Sequence, residues 1–276
     1  MRKKKTTTTN KDVFERYESI SEFVNTINAR PVDPYYKDLM SSHKTGEYRE
    51  KFTCTKSFEE ADDLLMNGDL ETAKKMDAKA RNIKQATGVK NTITRGPVGF
   101  VPNVPAYLSG NPNNMFFVRS QSYKSTKVIN LVINSTISYD IDGDDLLTFG
   151  VRLLNIVVKL EAKGYRLNIY KSDISQYKDS GKNIGVLLVK IKDSGKPLNL
   201  TKVAYPLANP SFYRRHVFNW IEKSGNTRST GYGAVLYSST SKAILAKHFT
   251  KFVYIDTAES YAGSEADLLN EVNRQL

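Results

Sequence analysis

Val128 to Ile133 reads VINLVI, a run of β-branched and leucine side chains broken only by Asn130. Asn134-Ser135-Thr136-Ile137-Ser138 follows at once, then an acidic turn, a long apolar segment, Gly164 and a further run from Tyr165 to Tyr170. Such a strand suits burial on both faces of a covered sheet. Residues 144–163 carry leucine, isoleucine and valine around most of a helical circumference. Asp144 and Asp145 favour the helix start, and Gly164 suits a left-handed C-terminal cap. The stretch is a β–loop–α–β unit with a hydroxyl-rich loop where open α/β sheets hold their ligands.

The same reasoning divides the chain. Residues 1–12 read as a disordered basic tail, with nothing apolar to offset ordering entropy. Residues 13–95 read as a helical module. Apolar side chains recur at three- and four-residue steps from Val13 to Ala29, which predicts a helix ended by Pro31 and Pro34. Thr53 to Lys56 reads as extended. Ser57 and Glu60 have the spacing of a capping box, Asn67-Gly68 ends that helix, and Asp69 starts another with Leu70, Ala73 and Met76 inward. Residues 96–126 form a connector rich in proline and glycine. Its segment GFVPNVPAYLSGNPNNM suits neither a regular helix nor a central strand, and its apolar content predicts packing against the rest of the protein. Strands and helices alternate over 127–276, which predicts an α/β sheet covered by helices.

Composition removes several classes. The single Cys54 excludes an internal disulfide framework and a multi-cysteine zinc site, and His43, His216 and His248 are far apart. No apolar run approaches the roughly 18 residues of a membrane span, and the basic start lacks a signal's apolar core. An intracellular protein with no membrane partner is the expectation. The formal charge of +12 favours an acidic partner such as nucleic acid. Candidate phosphate contacts are Arg2, Lys3, Lys4 and Lys5 of the tail, Lys74, Lys75 and Arg81 of the basic segment, and Arg214 and Arg215. A solubilising tail and a solvated helix face explain the first two groups equally well.

Asn134, Thr136 and Ser138 have the spacing of the Asp-x-Ser-x-Ser loop by which von Willebrand factor A domains hold a divalent cation. Asparagine offers one neutral oxygen where that loop has a carboxylate, a loss that matters for Mg²⁺. The later threonine and aspartate of the full site have no clear counterpart in 172–182 or near Ala204. The expectation is a binding loop without metal or other cofactor, shaped by Asx and Ser/Thr turns, with Mg²⁺ as the alternative. Arg214-Arg215-His216 lacks a partner acid or cysteine, and Gly225 to Gly233 lacks the ending of a phosphate loop. No catalytic residue is assigned.

FTCTKSFEEADDLLMNG, GFVPNVPAYLSGNPNNM, VINLVINSTIS with LLNIVVKLEAKGYRLNIY, and ANPSFYRRHVFNWIE together resemble a family of uncharacterised tailed-phage proteins, from about Tyr17 to Glu222. The C-terminal half is similar to a degenerate von Willebrand A domain with a Rossmann-like sheet. The resemblance implies a binding fold in the host cytoplasm or the virion. The expected function is non-enzymatic binding on or near nucleic acid through basic surfaces. The alternative is an adaptor for phage or host proteins, or a virion component, using the loop edge of the sheet, with oligomers allowed.

Overall fold

The computed structural model describes residues 12–38, 40–80, 89–122, 127–176, 184–224, 232 and 234–276. The tail 1–11 and Arg81 lie outside them.

The chain enters through β1 (Val13–Tyr17), then α1 (Ile20–Asn28). This corrects the single helix expected over 13–29. Val13, Phe14 and Tyr17 suit a strand as well as a helix, and Ser19 accepts from Glu22 N to start α1 at Ile20. A short 3-10 turn at Pro34–Tyr36 precedes α2 (Glu47–Thr53), which ends at Cys54 with φ 58. The extended stretch expected at 53–56 is therefore a helix end. In α3 (Phe58–Asn67) Ser57 caps as expected, while Glu60 reaches the N–H of Lys56. Gly68 ends α3 at φ 102, and Asp69 caps α4 (Leu70–Lys79) by accepting from Thr72 N. Ala73 and Met76 face inward, but Leu70 is exposed.

The connector is more regular than its sequence suggests. β2 (Val89–Gly96), β3 (Val101–Pro102), α5 (Val104–Leu108) and β4 (Met115–Ser122) form a three-stranded antiparallel sheet in the order β2-β4-β3. Asn103 caps α5, with proline in its first turn. The expected packing fails: Phe100, Val101, Val104, Tyr107 and Leu108 are exposed, and Ala106 is buried.

The main sheet is built from β5 (Val128–Asn134), β6 (Arg166–Gln176), β7 (Ile184–Lys192), β8 (Ala234–Val235) and β9 (Phe252–Asp256). The strand order is β1-β7-β6-β5-β9, with β8 paired to β6. β6 and β9 flank β5 in parallel, β7 runs antiparallel to β6, and β1 runs parallel to β7. β8 is short, and α9 (Ser238–Leu245) follows it closely.

Helices cover both faces. Leu131, Ile133, Leu167, Ile169 and Val189 share one core with α1, α3, α6 (Gly143–Ala162), α7 (Leu200–Ala208) and α8 (Phe218–Lys223). A π-helical turn, Phe212–Val217, leads into α8. Val132, Tyr170, Ile174, Leu188 and Tyr254 face the other way, under Leu245 and Phe249. α6 is apolar around most of its circumference because α4 and α7 pack on its outer side through Ala73, Met76, Ala204 and Ala208. Gly150 permits that crossing: a Cβ there would lie 2.6 Å from Ala208 Cβ. α10 (Thr257–Ser260) and α11 (Glu265–Gln275) close the fold, with Leu268 and Val272 in the main core. The 13–95 module is thus no separate body, since β1 belongs to the main sheet and α1 and α3 to its core.

Candidate functional site

β5 ends at Asn134, while β6 runs on for several residues. In register, Asn134 faces Ser172 of β6 on one side and Asp256 of β9 on the other. The loop after β5 therefore folds over polar residues that neighbouring strands carry past the end of β5. Asn134, Thr136, Asp173, Ser175 and Asp256 are all buried there, and Ser138 is exposed.

The hydrogen bonds form two linked groups. Thr136 Oγ1 lies 3.0 Å from Asp173 Oδ1 and 3.3 Å from Asn134 Oδ1, and Ser175 Oγ donates to Asp173 Oδ1 at 2.8 Å. On the other side Tyr254 donates to Asp256 Oδ2 at 3.0 Å, the amide of Asn134 lies 3.5 Å from the same oxygen, and Ala258 N donates to Asp256 Oδ1. Thr257 Oγ1 donates to the Asn134 carbonyl. Asn134 thus joins two carboxyl groups from strands on either side of it. Burial pushes the Asp256 carboxyl up, against the hydrogen bonds from Tyr254 and Asn134. Ser135 Oγ and Ser172 Oγ are buried and find no partner among the described residues.

Lys171 occupies the same strand end, between Ile133 and Val189 in register. It is buried, and burial lowers its amine to about 7. An amine so desolvated is held toward its neutral form.

Arg214 sets the shape of the loop's far side. It donates to the carbonyls of Phe52, Ser138, Tyr139 and Ile141 at 2.7, 3.1, 3.3 and 2.7 Å. Arg215 donates to Thr55 and to the carbonyls of Ser42 and Lys44. Both side chains are buried, which corrects their place on a basic surface: the π turn and α8 lie inside the core, and carbonyls take their donors. His216 beside them is also buried, and burial lowers it to about 3. Among the other candidates, Lys74 is exposed and paired with Glu71, and Lys75 is exposed.

The residues present do not fit a hard divalent cation. Asp256 and Asp173 stand on opposite sides of β5, and their oxygens named above accept internal hydrogen bonds. The Asn134 amide points at the carboxyl that a cation would need. No group of three or more histidine, cysteine or acidic side chains gathers as a metal site among the described residues. Asp256, in register with Asn134, and Thr257, which donates to the Asn134 carbonyl, do place an aspartate and a threonine beside the loop, at a strand end the sequence reading did not single out. Asp173 and Lys171 were equally missed. Their signal was a polar Lys-Ser-Asp run set between the apolar Ile169-Tyr170 and Ile174 of one strand.

No helix among the described residues is long and apolar enough to cross a membrane. No curated protein and no solved structure matches the chain. A family model described as a domain of unknown function, DUF7192, matches residues 3–275, and the chain belongs to that family.

Proposed function

We propose that the protein is a non-enzymatic assembly component, a rigid body of von Willebrand A-like type that joins a second copy of itself through the small sheet of β2, β3 and β4. Exposed apolar side chains in β2, in the turn before β3 and in α5, which that sheet carries, support the proposal. Ile93, Val98, Phe100, Val104, Tyr107 and Leu108 are each more than half exposed. Solitary exposed apolar residues are ordinary, whereas a group on one small module marks a contact surface. The strands of this module carry Lys90, Arg95 and Arg119, but Val98 to Phe117, which holds Phe100, Val104, Tyr107 and Leu108, contains no charged residue in a chain with 25% charged residues. A segment so poor in charge suits an apolar protein face. β2 also has an open edge among the described residues, and an open strand edge pairs readily with its own copy about a two-fold axis.

The loop spacing at Asn134, the register of Asp256 and the hydrogen bond from Thr257 support the von Willebrand A-like reading. The segments similar to tailed-phage proteins support a place in the host cytoplasm or the virion. Light scattering across a concentration series tests the assembly. Wild type is expected to dimerise, and a Tyr107→Asp, Leu108→Asp variant is expected to be monomeric with an unchanged thermal midpoint. A wild type that stays monomeric throughout overturns the proposal.

Nucleic-acid binding is the second reading. The formal charge of +12 and the exposed Lys75 favour it, with Arg214 and Arg215 withdrawn from the argument. Anisotropy titrations with single- and double-stranded oligonucleotides at about 50 mM salt test it, since phosphate contacts are strongest there. No binding under those conditions would remove it.

A further inference from the structure

A cleft of about 410 Å³ opens at the end of the sheet opposite Asn134, between the start of α1, the end of α3, the end of β7 and the start of α7. Four lysines line it: Lys190, Lys192, Lys196 and Lys202. Two are already committed to acids. Lys190 pairs with Glu18 and Asp193, and the buried Lys192 pairs with Glu161 at 2.8 Å. Lys202 instead donates to the carbonyl of Met66 at 2.7 Å. An ammonium with one carbonyl partner keeps two further donors. Lys196 is exposed. Neither Lys196 nor Lys202 has a carboxylate within ion-pair distance among the described residues, so these two supply the cleft's unspent charge.

The rest of the lining separates by polarity. Ile20, Met66 and Pro197 give an accessible apolar wall beside the lysines, backed by the buried Leu65, Ile191 and Val203. The first turns of α1 and α7 also border the cleft, and their partial positive ends add to the lysines. An ion alone would leave the apolar wall uncovered. The volume suits a small organic molecule, since ligand clefts of this kind start near about 300 Å³.

We propose that this cleft binds a nucleotide phosphate, with the phosphate between Lys196 and Lys202 and the base or sugar against Ile20, Met66 and Pro197. The source is a free mononucleotide or the phosphorylated end of a strand. The proposal rests on neither reading of the previous subsection, because the cleft shares no residue with the small apolar sheet or with α4.

Calorimetric titration of the full chain with AMP, with inorganic phosphate, and with matched oligonucleotides bearing a 5′-phosphate or a 5′-hydroxyl tests it. AMP is expected to bind. Lys196→Glu and Lys202→Glu should each weaken it by about tenfold or more, the loss of one charged hydrogen bond. Lys75→Glu, which removes an exposed charge on α4, should leave binding unchanged. Lys196 is exposed, so the ligand-free thermal midpoint of its variant should match wild type. The 5′-phosphate oligonucleotide binding more tightly than AMP assigns the strand end as source, and the reverse order assigns the free nucleotide. Absence of AMP binding, an equal effect of Lys75→Glu, or inorganic phosphate binding as tightly as AMP would each overturn the proposal.

Discussion

Arg214 Nη2 lies 2.7 Å from the carbonyl oxygen of Ile141, so a buried guanidinium holds the turn that leads from the Asn134 loop into α6. The same group also receives the carbonyls of Phe52, Ser138 and Tyr139. A planar fork with five donors can serve several acceptors at once, and an ammonium cannot copy that geometry. Arg214→Met is expected to lower stability by about 3 kcal/mol, the cost of leaving buried carbonyls unpaired. Arg214→Lys should recover less than half of that. Urea denaturation of the three proteins checks the order, and equal midpoints would refute the bracing role.

Lys171 opposes the fold at neutral pH. Its folded amine titrates near 7, below the usual lysine value, so the unfolded chain binds the extra proton. Stability should therefore rise from about pH 7 toward about pH 10.5 as the unfolded amine loses its proton. Lys171→Met should be more stable than wild type at pH 7, by about 2–4 kcal/mol, because it removes an amine that burial desolvates. The advantage should shrink as pH rises. Urea midpoints at pH 7 and pH 10 measure both effects, and a wild type that outlasts the variant at pH 7 would contradict this account.

His216 acts in the same direction, in acid. Phe58, Tyr205 and Phe212 surround its ring, its Nε2 lies 3.2 Å from the Ala61 carbonyl, and burial holds it near 3. Below about pH 6.5 the unfolded histidine takes up a proton that the folded one refuses. Its contribution to stability is full above that pH and is lost as pH falls toward 3, with a limiting slope of about 1.4 kcal/mol per pH unit. Carboxylates titrate in the same window, so the comparison is with His216→Leu. The gap between wild type and variant should narrow between pH 7 and pH 4.5, and a gap independent of pH would rule out the histidine as its cause.

Gly150→Ala inverts an ordinary rule. In a helix interior the change usually stabilises by about 1 kcal/mol. Here the new Cβ would sit 2.6 Å from Ala208 Cβ, and α6 and α7 would have to part. A net loss of about 1–3 kcal/mol is expected from overpacking. Ala208→Gly should restore much of it in the double variant. A double-mutant cycle by chemical denaturation reads the coupling, and independent effects would show that the helices do not meet there.

The order of the central elements was legible in the sequence because burial there follows periodicity. Val128 to Ile133 and the helix with Asp144 and Gly164 at its ends sit close to their expected bounds. Local capping was equally readable at Ser57 and Asp69. Two kinds of feature were not. β1 looked helical because Val13, Phe14 and Tyr17 satisfy both periods, and pairing with β7, far along the chain, decides the matter. The polar site escaped because its members come from β6 and β9 and meet only through strand register. The sequence placed Asn134, Thr136 and Ser138 on one loop. It did not show that Asp173 and Asp256 would flank it, or that Arg214 would turn inward to hold it.

β1 has one more consequence, and it concerns time. Its edge position depends on β7, with Val13 beside Gly185 and Tyr17 beside Val189. At about 5–20 residues per second, a ribosome makes the docking strand roughly ten to thirty seconds after the strand that docks. Through that interval Phe23, Val24 and Ile27 have no completed core to enter. β1 and α1 thus complete their native contacts only after β7 is made, and their apolar side chains leave nascent fragments that end before β7 open to aggregation.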